Sequence, residues 1–226
     1  MKLNHARAKL KRGEPSVGTW LTLPDRVSAR LMARVGFDWL TVELEHTPID
    51  FETAADSFAL IAGNNCVPLA RVPWNTGENI KRVLDTGAYG IVVPMVNSRA
   101  EAEAAVRAAR YQPLGERSIG GQLHAANFDT DPATYYARAN DELLVILQCE
   151  HIRAVEEFDG PAFEQLLAGW KAQGYRLVPM RAWYETLQAL ALPRCEVGPA
   201  TVPGRGGTLL CQGREFLGDV DLARAA

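Results

Sequence analysis

The sequence has no pair of cysteines at the spacing of a metal ribbon or a disulfide framework. Its four cysteines are scattered, at positions 66, 149, 195 and 211, and no CxxC motif occurs. Neither a zinc ribbon nor a disulfide-stapled fold is therefore expected. We interpret the thiols as isolated side chains that are buried or half-buried.

An excess of basic charge and long apolar runs are also lacking. The 226 residues carry a formal net charge of −3 at pH 7. Because no basic field is present, we expect neither nucleic acid nor a membrane surface as a partner. No apolar segment of 18 residues occurs, and the basic N-terminus lacks the apolar stretch of a signal peptide. We therefore expect a cytoplasmic protein.

Short apolar runs rich in β-formers alternate with helical segments from residue 16 onward. The predicted strands are SVGTWLTL, FDWLTVELEH, CVPLARVP, YGIVVPMV and ELLVILQCE. The segments between the first four strands and after the fourth have helical periodicity, in DRVSARLMARVG, DFETAADSFALIAG, NTGENIKRVLDTGA and SRAEAEAAVRAARY. Asp50, Asn75-Thr76 and Asn97-Ser98 are the predicted N-caps. This alternation predicts an α/β domain with a parallel sheet.

Two later regions depart from this alternation. Residues 112–141 are polar and long for a connection, which favours a functional loop. We expect four of its side chains to pack the loop down, namely Leu123, Phe128, Tyr135 and Tyr136. After residue 160 we predict helices in PAFEQLLAGWKAQG and RAWYETLQAL, a strand in YRLVPM, and a turn-rich, β-like segment in PRCEVGPATVPGRGGTLLCQGREFL.

Polar and ionisable side chains follow the predicted strands, where a parallel α/β domain builds its site. The candidates are Trp20, Glu43, Glu45, His46, Arg71, Gln148 and Glu150. An imidazole, a guanidinium and carboxylates together suit proton transfer, binding of an anionic substrate and binding of a divalent metal. Structural readings stay open: His46 as a capping or surface imidazole, Arg71 and Glu150 in internal ion pairs, and Glu45 facing away. By themselves these residues predict a metal-assisted or acid–base enzyme.

Four motifs, in order along the chain, resemble the HpcH/HpaI aldolase family of metal-dependent class II pyruvate aldolases. They are GFDWLTVELEHTPID, PLARVPWNTGENIKRVLDTGAYGIVVPMV, QPLGERSIGG followed by AANFD, and LLVILQCEH, within about residues 16–158. The resemblance implies a TIM-type (β/α) barrel in a homo-oligomer. It implies a lyase that forms or cleaves a carbon–carbon bond between pyruvate enolate and a small aldehyde, in substrates of the 2-keto-3-deoxy acid type. A divalent metal, Mg²⁺, Mn²⁺ or Co²⁺, chelates pyruvate in such enzymes.

The resemblance also implies catalytic roles for four residues. His46 matches the acid–base histidine, and Glu43 stands where the family more often has Asp, oriented to support that histidine. Arg71 matches the arginine that steadies the enolate oxygen. Asp85, in the helix after the third strand, matches an acid that reaches the histidine region of the site in the assembled oligomer.

The substrate and metal positions match in part. Gln148 and Arg71 line the pyruvate pocket, with Trp20 as a further substrate-binding candidate, and Glu150 matches the first metal ligand. The second ligand of the family is an Asp in a GPxDL-type motif, which is missing, and its position falls near Tyr175-Arg176. We therefore expect a barrel that is incomplete or modified after strand five. The alternative function is a catalytically impaired, aldolase-like α/β scaffold that lacks the second metal ligand.

The C-terminal segment has a different resemblance. Residues 160–217 resemble the C-terminal end of a polysaccharide-deacetylase-type enzyme, the deformylase of 4-deoxy-4-formamido-arabinose-phosphoundecaprenol. We therefore expect two parts, an aldolase-like part in residues 1–159 and a divergent part in residues 160–226, joined as a chimera near Asp159-Gly160. No deacetylase activity is expected, because the catalytic Asp and His motifs of that family lie upstream of the matching segment.

Overall fold

The computed structural model describes residues 1–157, 197–200 and 209–212, which fall in two compact units, Met1–Gly160 and Pro161–Ala226. The first unit contains a five-stranded sheet in which neighbouring strands are all parallel and follow chain order. The strands are β1 (Gly18–Leu21), β2 (Trp39–Glu43), β3 (Val67–Arg71), β4 (Gly90–Val93) and β5 (Leu144–Leu147). All five strands lie where the sequence predicts them.

Helices precede, connect and follow these strands. They are α1 (His5–Lys11), α2 (Arg26–Met32), α3 (Phe51–Ala62), α4 (Gly77–Asp85), α5 (Arg99–Ala109), α6 (Leu123–Asn127), α7 (Pro132–Glu142) and α8 (Ile152–Glu157). The four predicted crossover helices are confirmed as α2 to α5. Helix α1 was not predicted, although Asn4 accepts a hydrogen bond from the amide of Arg7 as its N-cap. None of the helices described above is long and apolar enough to cross a membrane.

The predicted N-caps are confirmed for three helices. Asp50 Oδ1 accepts a hydrogen bond from the amide of Thr53 at 2.8 Å. Thr76 and Ser98 accept one from the third residue of α4 and of α5. Each short polar side chain satisfies an amide that has no partner within its own helix, so it sets where the helix begins.

The expectation of a long loop over residues 112–141 was wrong in part, because the segment contains α6 and α7. Asp131 caps α7 and Pro132 occupies its first turn, a strong start signal. Phe128 and Tyr135 are buried as expected, and the ring of Phe128 stacks on Tyr89. Leu123 is 59% exposed instead, because His124 and Ala125 form the buried face of α6.

Both faces of the central strands are covered. All residues of β4, and all but one residue in each of β2 and β3, are buried, as expected for a parallel sheet with helices against it. The two cysteines in this unit are free, as expected, with Cys66 buried and Cys149 exposed. Burial raises the pKa of Cys66 to about 12, so its thiol stays protonated at neutral pH.

The second unit is described by one antiparallel pair, β6 (Val197–Ala200) with β7 (Leu209–Gln212). These strands confirm the β-like prediction for that stretch. The predicted helices and strand of residues 161–190, the chimeric junction and the rest of the deformylase-like segment lie outside the described residues.

Candidate active site

The register of the first three strands brings three of the predicted site residues to one face of the sheet. Glu43 pairs with Arg71 across β2 and β3, and Trp20 pairs with Thr41 across β1 and β2. Side chains two residues apart on a strand point the same way, so Trp20, Glu43 and Arg71 share a face. Glu43 and Arg71 are the last residues of their strands, so they lie at the carboxyl edge of the sheet.

Glu43 and Arg71 form a buried ion pair. Arg71 donates a hydrogen bond from Nε to Glu43 Oε2 at 2.7 Å, and Arg71 Nη2 lies 2.7 Å from the same oxygen. The Glu43 side chain is 3% exposed and the Arg71 side chain 16%. A buried carboxylate is tolerated when a cation and hydrogen-bond donors occupy its lone pairs. Here the guanidinium of Arg71 is the partner of Oε2.

The other oxygen of Glu43 organises the turn that follows β2. Glu43 Oε1 accepts hydrogen bonds from the backbone amides of Glu45 at 2.8 Å and His46 at 3.1 Å. Thr47 Oγ1 donates to the carbonyl of Glu43 at 2.5 Å and accepts from the amide of Ile49. Glu43 therefore supports His46 through the backbone, and its carboxylate does not contact the imidazole.

Glu45 is the carboxylate that lies between the cation and the imidazole. Its Oε1 is 3.5 Å from His46 Nε2, and its Oε2 is 3.2 Å from Arg71 Nε. The second contact is not aligned as a hydrogen bond, since Glu45 Oε2 has no hydrogen-bond partner among the described residues. The Glu45 side chain is only 11% exposed, whereas that of His46 is 72% exposed.

A cavity of about 400 Å³ opens beside these residues. It is lined by Trp20, Thr22, Glu43, His46, Thr47, Pro48 and Arg71. The guanidinium carbon of Arg71 is 5.0 Å from the centroid of the Trp20 ring, a cation–π contact that orients both side chains. The cavity thus places a cation, an aromatic wall and an accessible imidazole around a space for a small molecule.

The end of β5 contributes polar oxygens to the same edge of the sheet. Gln148 is half-buried, and its side-chain oxygen has no hydrogen-bond partner among the described residues. Glu150 is exposed and accepts a hydrogen bond from the amide of Met95, in the loop after β4, at 2.9 Å. Neither residue lines the cavity beside His46.

The oxygens at the end of β5 suit a hard divalent cation in type, because such ions prefer carboxylate and carbonyl oxygens. Glu150 supplies a carboxylate, and the unpartnered oxygen of Gln148 is a neutral donor two residues away. Among the residues described here, no three His, Cys, Asp or Glu side chains form a cluster that could hold a metal ion. The described donors therefore fit one part of a metal coordination sphere, which water can complete for Mg²⁺.

Asp85 is not brought to this cavity. It is the last residue of α4, and its carboxylate accepts a hydrogen bond from Arg117 Nη2 at 2.6 Å. The Arg117 side chain is fully buried, while that of Asp85 is 27% exposed. Within the described part of this chain, Asp85 is thus part of a second polar cluster.

This second cluster was not identified from the sequence. Its members are Asp85, Tyr111, Arg117, His124 and Tyr135. Burial opposes the charge of Arg117, but the surrounding tyrosines and Asp85 outweigh it and raise the pKa of the guanidinium. Burial, and then repulsion from Arg117, lowers the pKa of His124, so its imidazole is neutral at neutral pH. The sequence signal is Arg117 itself, a charge within GERSIGG that needs an anionic partner once buried.

Glu45 is one of the candidates from the sequence, with the alternative that it faces away, but the family resemblance gives it no role. A signal for it exists, because in ELEH the two glutamates alternate with Leu44, which is 7% exposed and belongs to the core. Continuing the alternation of β2 by two residues puts Glu45 on the same face as Glu43.

The chain matches the profile of the HpcH/HpaI aldolase/citrate lyase family over residues 16–162. The 4-hydroxy-2-oxo-heptane-1,7-dioate aldolase of Shigella sonnei is 40% identical over 153 residues, which are 68% of this chain and 58% of that protein. The enzyme of the same name from Klebsiella pneumoniae is 39% identical over the same length. This chain therefore spans about 58% of the length of the curated relatives it matches.

Solved structures agree with this match. An HpcH/HpaI aldolase/citrate lyase family protein from Burkholderia cenocepacia superposes with a TM-score of 0.62 at 32% identity, covering 68% of this chain and 62% of that one. An HpcH/HpaI aldolase from Desulfitobacterium hafniense superposes with a TM-score of 0.61 at 32% identity, covering 66% and 58%. The predicted TIM-type α/β architecture is confirmed by these neighbours and by the parallel sheet, while its modification after strand five lies outside the described residues. The chain belongs to the HpcH/HpaI aldolase/citrate lyase family.

Proposed function

We propose that this chain carries the pyruvate-activating site of a divalent-metal-dependent aldolase. The reaction is the making or breaking of a carbon–carbon bond between pyruvate enolate and a small aldehyde, in substrates of the 2-keto-3-deoxy acid type. One observation carries the proposal: a buried Glu43–Arg71 pair lies beside the accessible imidazole of His46 at the carboxyl edge of a parallel sheet. Membership of the aldolase family supports the same reaction class.

Each residue of the site has a role that its chemistry allows. His46, exposed on a turn that Glu43 holds, takes a proton from the methyl group of pyruvate, directly or through water. The electron pair of that C–H bond moves into the enolate, whose oxygen is held by Arg71. We assign Trp20 to the wall of the pyruvate pocket through its contact with Arg71, and Gln148 to the part of that pocket at the end of β5, outside the cavity beside His46.

A divalent ion, Mg²⁺, Mn²⁺ or Co²⁺, belongs to the proposal, with Glu150 as its protein carboxylate. When bound, such an ion polarises the keto group of pyruvate and so favours loss of a methyl proton. Glu150 is anchored for this task by the amide of Met95, which leaves its second oxygen available. The unpartnered oxygen of Gln148 is the other described donor.

Deuterium exchange at the methyl group of pyruvate tests this function without the unknown aldehyde. The protein is incubated with pyruvate and Mg²⁺ in D₂O and followed by NMR. We expect exchange that stops with chelator and falls by about 10²-fold or more in His46→Ala, the usual contribution of a general base. His5→Ala is the matched control, because His5 lines a different cavity, at the amino ends of β3 and β4, and should leave the exchange unchanged.

One observation favours a second candidate, a catalytically impaired α/β scaffold of the same lineage. The described residues bring one carboxylate to the end of β5 and no cluster of three metal-ligating side chains. Folded protein that exchanges no faster than metal alone would support the scaffold and refute the aldolase. Exchange that is metal-dependent but independent of His46 would refute the assignment of the base.

Two finer proposals concern the whole protein. We propose a homo-oligomer in which Asp85 acts near His46 of a neighbouring copy, since Asp85 does not line the cavity of its own chain. We also propose that residues 160–226 have a separate origin. The family profile itself matches residues 16–162.

A further inference from the structure

Glu45 is the acid that faces His46 within its own chain. We propose that Glu45 positions the imidazole of His46 and stabilises its protonated form when it accepts the proton of the substrate, an inference that deepens the proposed function and rests on it. Glu45 acts through His46 and touches no reacting atom, so it is a positioning residue.

The carboxylate of Glu43 is fully engaged and cannot face the imidazole of His46. Both its oxygens are engaged: Oε2 accepts a hydrogen bond from Arg71 Nε and lies 2.7 Å from Arg71 Nη2, while Oε1 accepts from two backbone amides. A carboxylate that is buried to this degree, with both oxygens occupied in this way, leaves no acceptor site open to an imidazole. Another acid must therefore face His46 if any does.

The carboxylate of Glu45 lies next to the imidazole of His46. Its Oε1 is 3.5 Å from His46 Nε2, slightly longer than a hydrogen bond. Contacts of catalytic groups are often long before the substrate binds, and the exposed ring of His46 is free to turn towards the carboxylate. The other oxygen, Oε2, lies 3.2 Å from Arg71 Nε, so the cation holds the carboxylate in place.

The charges of Glu43, Glu45 and Arg71 do not cancel. Two carboxylates and one guanidinium leave one negative charge beside the imidazole, at a site where the Glu45 side chain is 11% exposed. Such a charge stabilises the imidazolium that forms after proton uptake and keeps the ring oriented. Since Glu43 still binds Arg71 through a hydrogen bond from Nε and a close ion pair with Nη2, removing the charge of Glu45 leaves the cation in place.

The first test is kinetic and uses methyl deuterium exchange with Mg²⁺ over a range of pyruvate concentrations. In Glu45→Gln we expect the maximal exchange rate to fall by about ten- to a hundredfold, the loss typical of an orienting partner, with little change in KM. Glu45→Asp keeps the charge and should recover part of the rate. Glu52→Gln is the matched control, an exposed residue of the first turn of α3, and should match the wild type.

Wild-type rates in Glu45→Gln would overturn the inference. So would a parallel loss of rate, pyruvate affinity and thermal stability, because that pattern indicates a structural role alone. A wild-type protein that shows no metal-dependent exchange would refute the proposed function instead.

The second test needs no activity. Imidazole ¹⁵N shifts are recorded on the full-length, ligand-free protein, and His46 is assigned from its loss in His46→Ala. We expect the His46 signals to move in Glu45→Gln and to stay in Glu52→Gln, while the other three histidines report that the fold is intact. His46 signals that coincide with those of the wild type would overturn the contact, whatever the exchange assay shows.

Discussion

Two glutamates two positions apart differ completely in what surrounds them. Glu43 is enclosed by hydrogen-bond donors, whereas Glu45 contacts Arg71 through one oxygen only, although both lie at the end of the same apolar strand and point the same way. The difference arises because Glu43 ends β2 opposite Arg71 in the register, whereas Glu45 lies in the turn beyond it. Residue type alone therefore does not assign the role of a carboxylate at this edge.

The buried imidazole of His124 makes the stability of the folded protein depend on pH. Its folded-state pKa is lowered by burial and by Arg117, so the unfolded chain binds a proton that the folded chain does not. The backbone carbonyl of Asp85 and the rings of Tyr135 and Tyr136 also face it. This contribution to stability is complete above the ordinary histidine pKa and is lost as the pH falls below it.

We expect the urea midpoint of the wild type to fall as the pH is lowered from about 7.5 to about 5.5, across the ordinary histidine pKa. In His124→Phe the fall should be shallower, because the titrating group is gone. His5→Gln should keep the wild-type slope. Equal slopes in the wild type and in His124→Phe would contradict the buried neutral imidazole.

At the scale of the elements, β4 lies very close to both of its neighbours at Gly90. A Cβ placed on Gly90 would lie 2.6 Å from the carbonyl oxygen of Leu144 and 2.7 Å from Leu69 Cδ2. Backbone and core therefore approach too closely for any side chain at this position, which explains why a glycine begins the strand. The spacing of β3, β4 and β5 sets the width of the carboxyl edge where Arg71, Gln148 and Glu150 lie.

Gly90→Ala should lower the free energy of unfolding by about 1–3 kcal/mol, the usual cost of overpacking a core. Gly120→Ala is the control, because a Cβ there meets nothing within 4 Å. Chemical denaturation of both variants measures the difference. Equal stability of the two would show that β4 can shift away from its neighbours at little cost.

At the scale of the whole molecule, Asp85 lies apart from the cavity beside His46. Asp85 is held at the end of α4 by a fully buried arginine, yet part of its surface remains exposed. That arrangement suits an acid presented outward from a rigid support. It agrees with the proposal that Asp85 serves His46 of another copy, since most oligomers of one chain are symmetric and share their sites reciprocally.

Complementation tests this sharing. Asp85→Asn and His46→Ala should each lose most of the methyl exchange, while their co-expression in equal amounts should restore about one quarter of the wild-type rate, as random pairing predicts. Intact sites then form between an Asp85 and a His46 from different copies. No recovery, in protein shown to be oligomeric, would place both residues in the same chain's site or refute the role of Asp85.

Much of the candidate site was predictable from the sequence because of where it lies along the strands. The carboxyl ends of parallel strands meet at one edge, so Trp20, Glu43 and Arg71 could be placed together before any coordinates. The helices α6 and α7 were not predicted, because the glycines and polar residues of residues 112–141 obscure the helical periodicity of two short segments. Leu123 was expected inside, and it is outside because a polar residue, His124, takes the buried position.

The sequence by itself determined the positions and parallel direction of the strands, the four crossover helices α2 to α5 with the caps of three of them, and the edge at which polar residues collect. These follow from local patterns of period 2 and period 3.6, which depend on neighbours in the chain. Only the tertiary structure decided which acid meets which basic side chain: Glu43 with Arg71, Asp85 with Arg117, and Glu45 beside His46. The physical reason is that a buried charge requires a partner of opposite charge or a hydrogen-bond partner close by. Burial, and the distances between residues that are remote in the sequence, are set only when strands and loops pack.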